Sequence, residues 1–471
     1  MLLDLGGEKM RLLPGFVMVI VLMMTSAAGA ATFNVDSQVD SPDATLGDGI
    51  CASKAGGCTL RAAVEEANAS SRSSTINLPE GTYTLTSADE GANFGQSGVL
   101  LLGGVTTVAG AGLRTTVVNG DGKHRLFEVG NKATVTISGL TLREAQVQGG
   151  DGAALLNRGN LTVSNVLFLQ NRAVGDPLVP KSGRGAALFN TNGGTASLNS
   201  VVALKNSSDG KGGAFFNDEA STLKIMNGEI LGNQSLADSG GGISNSGTLE
   251  VTISTIRGNQ AMQAAGGLDN IESSAKLLDV EITENTAGAE GGGLRSSGEL
   301  SGHNLTVSEN KASSAGGILA RAPGKVSLNN VTVGDNQGGG LAAEKGATLA
   351  IANTLVARNE TESKPTDCSG QIQSGGFNLI ENPAGCQIRG NTTGNLSAVS
   401  AELGKLALND GQNRTQALGA GSAAIDAGSP AKPGGPEGSC LIADQRGVRR
   451  PQAVRGDVPR CDIGAFENKG S

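Results

Sequence analysis

An eleven-residue block that recurs at a near-constant interval constrains this chain more than any other feature. It reads LTVSNVLFLQN from Leu161, LKIMNGEILGN from Leu223, LEVTISTIRGN from Leu249 and LSGHNLTVSEN from Leu300, then VSLNNVTVGDN from Val326 and LAIANTLVARN from Leu349. Looser copies end at Asn206 and Asn285. The closing asparagines are Asn171, Asn206, Asn233, Asn259, Asn285, Asn310, Asn336 and Asn359, spaced by 35, 27, 26, 26, 25, 26 and 23 residues. A glycine-rich step precedes each block, as at Gly212-Gly213-Ala214, Gly240-Gly241-Gly242 and Gly291-Gly292-Gly293. Within a block the apolar residues alternate. Leu161 and Val163 share one face, and Val166 and Phe168 share the next. Short period-two runs broken by Gly and Asn predict strands and turns, whereas a helical repeat needs a 3.6-residue period and far less glycine.

A coil of three short strands fits about 25 residues, and stacked coils place parallel strands roughly 4.8 Å apart. The predicted fold is therefore all-β, a right-handed single-stranded parallel β-helix. Less regular runs at Gly104–Ala109, Thr115–Asn119, Leu126–Val129 and Val135–Leu142 read as the first coils. From Thr75 to Glu360 the expectation is ~11 coils and a rod of ~50 Å. With 73 Gly, no Trp and one Tyr, the core must be filled by Leu, Val, Ile and Ala. Hydrophobic residues at 38% against 17% charged exclude a disordered chain. The asparagines have two expected roles. They supply left-handed turns, and they form amide ladders from coil to coil. The same reading covers a second row six residues upstream: Asn165, Asn227, Asn304, Asn330 and Asn353.

The net charge of −8 carries no basic footprint, which argues against a nucleic-acid partner. At the N-terminus, Lys9 and Arg11 precede a mostly apolar Leu12–Met24, and Ala28-Gly29-Ala30 is a small-x-small site. Residues 1–30 thus read as a secretory signal, with Met10 as an alternative start and an uncleaved anchor as the rival reading. The membrane is expected to be met through this segment alone. An exported chain meets an oxidising compartment, so the six cysteines are expected as three local disulfides: Cys51 with Cys58, Cys368 with Cys386, Cys440 with Cys461. The spacings are not metal-like, and His124 and His303 are the two histidines, so no metal and no cofactor is expected.

The ends of the chain carry a family resemblance. Gly47–Ala69 reads GDGICASKAGGCTLRAAVEEANA, followed by INLPEGTYTLT from Ile76. Thr59–Asn68 reads as a short helix with Thr59 as N-cap. Cys58-Thr59-Leu60-Arg61-Ala62-Ala63, Glu66-Ala67-Asn68 and Gly81-Thr82-Tyr83 resemble the CSLREA domain of bacterial exported proteins, with Thr59 and Ala62 where that family has Ser and Glu. Near the other end stand GFNLIENPAGC to Cys386, LGKLALNDGQNRTQAL from Leu403, GSAAIDAGSP from Gly421, DQRGVRRP from Asp444 and CDIGAFE from Cys461. These are similar to the choice-of-anchor Q module, with Gln412 and Gln416 as departures. The resemblance implies export and a pectin-lyase-like solenoid. It also implies four segments: 1–30 signal, 31–75 N-terminal cap, 76–365 β-helix and 366–471 a disulfide-closed C-terminal module.

Function is less legible. Enzymes of this shape need clustered carboxylates, and the NTD, DD, GHG and RIK motifs of polygalacturonases are missing; Gly302-His303-Asn304 does not complete a GHG. Asp209, Asp269, Asp335 and Glu284 are the acids that equivalent coil positions could gather. Asp444, Arg446 and Asp462 invite a catalytic story, but read first as a cap in which Arg446 pairs with a carboxylate and bonds carbonyls. The expectation is a secreted or surface β-helix protein with a binding, adhesion or envelope-structural role toward an extracellular glycan or a host or envelope surface. A polysaccharide lyase or hydrolase is the alternative.

Overall fold

A computed structural model describes residues 30–86, 98–179, 181–362, 364–436, 438–452 and 460–469. The signal-peptide reading, and the choice between Met1 and Met10, lie outside these residues. The chain winds into about 11 turns of a right-handed parallel β-helix. A representative coil runs from the long strand Asn160–Leu169 to the short strand Arg172–Val174, then to the three-residue strand Leu188–Asn190 and into the next long strand, Thr195–Leu204. Three sheets result, called here long, short and middle after these strands.

Register is in phase from coil to coil: Val163 pairs with Ile137 below and Leu198 above, and Phe168 with Leu142 and Ala203. Parallel in-register stacking puts like residues over like, so the inward alternation becomes aliphatic columns. Ile137, Val163, Val251, Leu305 and Leu349 are at most 1% exposed. Burying each such side chain contributes about 1.5–3 kcal/mol. The glycine steps allow the backbones of neighbouring coils to meet. A Cβ on Gly213 would lie 2.1 Å from the carbonyl oxygen of Gly241.

The closing asparagines form one continuous ladder. Nδ2 of each donates to Oδ1 of the next, at 2.8 Å for Asn171–Asn206, 2.9 Å for Asn233–Asn259, 3.0 Å for Asn285–Asn310 and 2.8 Å for Asn336–Asn359. The same Oδ1 accepts the backbone N–H of the asparagine before it, and Nδ2 also reaches a carbonyl one coil back, as from Asn285 to Ile256. The ladder ends on Asp367, whose Oδ1 accepts from Asn359 at 2.9 Å.

These asparagines do not take the left-handed conformation expected of them. It falls on the residue just before each one: Gln170, Lys205, Glu284, Glu309, Asp335 and Arg358 have positive φ. The amide must point into the coil corner to meet its neighbours, so the sharp turn is displaced to a side chain facing outward. The second row does adopt it, with φ of 51° at Asn165, 53° at Asn227 and 46° at Asn353, but it is not an unbroken ladder. Asn227 donates to Ser200 and Asn304 to Asp279.

A different ladder lines the end of the middle sheet. Asn157 donates to Asn190, Asn190 to Asn217, Asn217 to Asn245 and Asn245 to Asn270, at 2.6–2.8 Å. It closes the turn back into the long strand.

Both ends are closed. Helix Leu60–Ala69, with Thr59 accepting from the Ala62 N–H, sits at the first coil, and its buried Glu66 accepts from the Gly47 and Gly49 amides. At the other end the chain beyond about residue 398 turns back along the flank of the solenoid. There the second asparagine row finds its partners. Asn304 donates to the Ala443 carbonyl, Asn330 accepts from the Leu441 amide, and Asn353 accepts from the Ser429 amide. Arg414 adds charge-assisted bonds to Glu281 and Glu284. The three disulfides are Cys51–Cys58, Cys368–Cys386 and Cys440–Cys461, with Cα–Cα separations of 5.0, 5.3 and 6.5 Å.

Candidate functional site

The middle sheet carries the departure from repetition that matters. Each of its strands contributes three residues, of which the first points into the coil and the second away from it. The outward column runs Glu128, Leu156, Phe189, Phe216, Ser244, Asp269, Arg295 and Leu319 in consecutive coils. Leu156, Phe189 and Phe216 form a small apolar cluster separate from the main core. The two rings stack with centroids 5.4 Å apart. The Arg184 guanidinium lies over both, at 4.6 and 4.8 Å, a double cation–π contact.

Arg184 is held between two carboxylates. It grips Asp151 with Nε and Nη2 at 3.2 and 2.8 Å, and Nη1 stands 4.0 Å from Asp218. Asp218 in turn accepts from the Thr191 hydroxyl at 2.8 Å. One coil earlier Arg158 pairs with Glu128, and Arg125 donates to the carbonyls of Asp151 and Gly152. Burial pulls the Arg125 guanidinium down to about 10. Together these groups line a groove of about 520 Å³, inside the usual range for ligand sites. Its planar, hydrogen-bonding side chains are fixed in place by ion pairs and by the phenyl floor.

The groove coincides with the long interval between Asn171 and Asn206. The extra residues include a loop at 175–179, closed by an Asp176–Val179 bridge, with Leu178 and Val179 exposed. A 35-residue interval among neighbours of 23–27, in a stretch that also concentrates Phe168, Phe189, Phe215 and Phe216, was the sequence signal for this site.

The acids considered from sequence are not gathered. Asp209 pairs with Arg172 beside the short sheet, and Asp269 with Arg295 on the middle sheet. Glu284 pairs with Arg414, and Asp335 with Arg358 and Gln416, at the outer corner of the long sheet. Asp209, Asp269 and the Glu284/Asp335 corner lie on three different sides of the coil, Glu284 and Asp335 stand two coils apart on their shared corner, and each of the four already has a cation.

Asp444 and Arg446 form a buried pair in which Nε and Nη2 both donate to Asp444 Oδ2, with Arg446 also donating to the Asn409 and Glu467 carbonyls. Asp462 accepts from the Asp426 and Asn468 amides, and burial lifts its carboxyl to about 6. Arg450 and Glu467, both fully buried, complete the interior of the module. His303 lies apart, beneath the module. Among the described residues there is no group of three or more His, Cys, Asp or Glu that could hold a metal ion.

The ladders and coil geometry define a parallel β-helix protein. No protein-family model matches the chain, and no curated protein sequence matches it. Solved structures similar to it at low identity include these three. The pectate lyase Pel9A is 13% identical, with 94% of this chain and 98% of that one covered and a TM-score of 0.45. The mannuronan C-5 epimerase AlgE6 A-module of Azotobacter vinelandii is 15% identical, with 78% and 100% covered and a TM-score of 0.41. Geobacillus virus E2 ORF18 is 11% identical, with 73% and 61% covered and a TM-score of 0.38. At these scores the likenesses say nothing about activity.

Proposed function

We propose that this protein is a polysaccharide-active β-helix protein that takes an extended sugar polymer across the middle-sheet groove. The observation that carries the reading is Arg184, stacked on the outward Phe189–Phe216 pair and held between Asp151 and Asp218 at the one coil where the repeat is interrupted. Sugar hydroxyls both donate and accept, and are bound by planar Arg, Asp and Asn groups whose geometry is fixed in advance. A polymer lying along the helix axis would also meet Arg158 and Glu128 on one side and Asp269 and Arg295 on the other.

Asp218 is the acid–base candidate. One of its oxygens is held by a neutral hydroxyl, and its arginine stands off at 4.0 Å. A lyase or hydrolase reading needs such a group beside a fixed partner. The second reading is adhesion without turnover, favoured by the tight pairing of Asp151 and Glu128 with arginines. Export belongs to the same proposal. The three disulfides fit an oxidising compartment, and no helix among the described residues is long and apolar enough to cross a membrane. The resemblance of the two ends to CSLREA and choice-of-anchor Q segments supports a secreted or surface setting.

The test is a panel of neutral and acidic polysaccharides, assayed for binding by affinity electrophoresis and for turnover by new reducing ends and absorbance of unsaturated products. Binding lost in Arg184→Ala with turnover lost in Asp218→Asn supports the main reading. Binding with no turnover leaves adhesion. Absence of binding to every polymer refutes both.

A further inference from the structure

A second cleft lies between the C-terminal module and the long sheet, away from the groove. It encloses about 590 Å³. One wall is formed by module residues 434–436 and 438–441, which include Cys440 of the Cys440–Cys461 disulfide. The other is the outward side of four consecutive long strands. Along that side one register column reads Met226, Thr252, Leu278, His303, Asn329 and Ala352. The column shrinks to alanine where the module crosses it, and Ala350 in the neighbouring column is equally small. The space exists because these coils lack the larger side chains borne by earlier ones.

The described lining carries no charged side chain. Among its described residues His303 is the one group able to ionise, and burial holds its imidazole below the ordinary value. Its Nδ1 is buried with no hydrogen-bond partner. The Gln373 amide and Ser327 hydroxyl stand among Ala350, Ala352, Ile351 and Pro436.

We infer that this cleft is a binding site for a neutral sugar unit, distinct from the groove and independent of what the groove does. An anionic ligand would lose its hydration and meet no counter-ion among the described lining residues. A wholly apolar one would leave the buried Nδ1 of His303 unpaired. A hydroxyl satisfies that nitrogen in either tautomer, because it both donates and accepts. A pyranose presents an apolar ring face to the alanines and proline with hydroxyls at its edge, which matches both halves of the lining.

With two histidines in the chain, the imidazole carbon–proton NMR signals of the full protein report the site directly, and His124→Gln identifies which is which. Titration with glucose, galactose, mannose, N-acetylglucosamine and their disaccharides should shift the His303 signal saturably and leave His124 still. Ala352→Leu fills the cleft with the side chain that Leu278 already carries in the same column. It should weaken the effect at least tenfold while the protein stays folded. Phe216→Ala, beneath Arg184 of the groove, should leave it unchanged. The inference is overturned if no neutral sugar moves the His303 signal, if Ala352→Leu binds as well as the parent, or if glucuronate and galacturonate bind there and neutral sugars do not.

Discussion

Replacing Asn285 with leucine removes one rung from the middle of the closing ladder. Asn285 Oδ1 accepts from Nδ2 and from the backbone N–H of Asn259, at 3.0 and 2.9 Å. Its Nδ2 donates to Asn310 Oδ1 and to the Ile256 carbonyl, at 3.0 and 2.9 Å. The acceptors lose least, since Asn310 Oδ1 keeps the Asn285 backbone amide. Two donors on Asn259 lose an acceptor in a site closed to water, at about 1–3 kcal/mol each. The leucine side chain returns up to about 2 kcal/mol by burial. The expected net loss is about 3 kcal/mol.

Asn165→Gly is the control: Asn165 is exposed with φ of 51°, so glycine fits the backbone and the change should stay within about 0.5 kcal/mol. Urea unfolding of both variants gives the totals. Amide hydrogen exchange, which in a stacked array should rise first in the coils flanking residue 285, gives the location. Asn285→Asp adds a sharper comparison. Asp367 is tolerated at the ladder's end because it meets donors, Asn359 and the Asn382 amide. At residue 285 a carboxylate oxygen would face Asn310 Oδ1 instead, and should cost as much as leucine. A loss below about 1 kcal/mol for Asn285→Leu, or one matching the control, would refute the view that the ladder holds the coils in register.

Three other outcomes are expected. Phe216→Ala removes half the floor beneath Arg184 and should weaken polymer binding about 5- to 10-fold in affinity electrophoresis, the equivalent of ~1–1.4 kcal/mol. Asp279 carries a carboxyl lifted to about 6, first by burial and opposed by its bond from Asn304. Between the unfolded value near 4 and 6 the folded state binds more protons, so this group's stabilisation is complete below pH 4 and lost as pH rises through 6; urea midpoints across that window should fall, and Asp279→Asn should flatten the slope. Breaking Cys440–Cys461, which closes 21 residues, by the double change to serine should cost about 3 kcal/mol by loop entropy, read as a lower thermal midpoint.

Much of the fold was legible because parallel stacking repeats its demands. One strand's alternation, copied at Leu161, Leu223, Leu249 and Leu300, states the coil, its inward face and its period together. The role of each asparagine was less legible. Asn171 and Asn165 both precede a change of direction, and sequence alone does not say which amide turns inward. The ladder at Asn157, Asn190, Asn217, Asn245 and Asn270 was missed because it follows an apolar pair rather than closing a block. The groove was missed for a related reason. Phe215 and Phe216 read as one apolar step, yet alternation sends the first into the core and the second to the outside. The Arg184 contacts join residues separated by one coil, which no local pattern announces.

The closing ladder also has a sense. Every Nδ2 faces the same way along the axis, from Asn171 toward Asn359, and the row stops on a carboxylate that can accept but not donate. A new coil inserted between Asn206 and Asn336 would find a donor below and an acceptor above, and would join without altering either neighbour. One added past Asp367 would meet no donor to continue the row. The row therefore admits whole coils upstream of Asp367, while beyond it the stacking passes to other contacts, with strand Cys368–Gly375 under Cys386–Asn391 and Asn378 donating to Asn395, so the solenoid can change length while the module keeps its seat on the last coils. Each such event would alter the distance between the groove and the module by one strand spacing, ~4.8 Å.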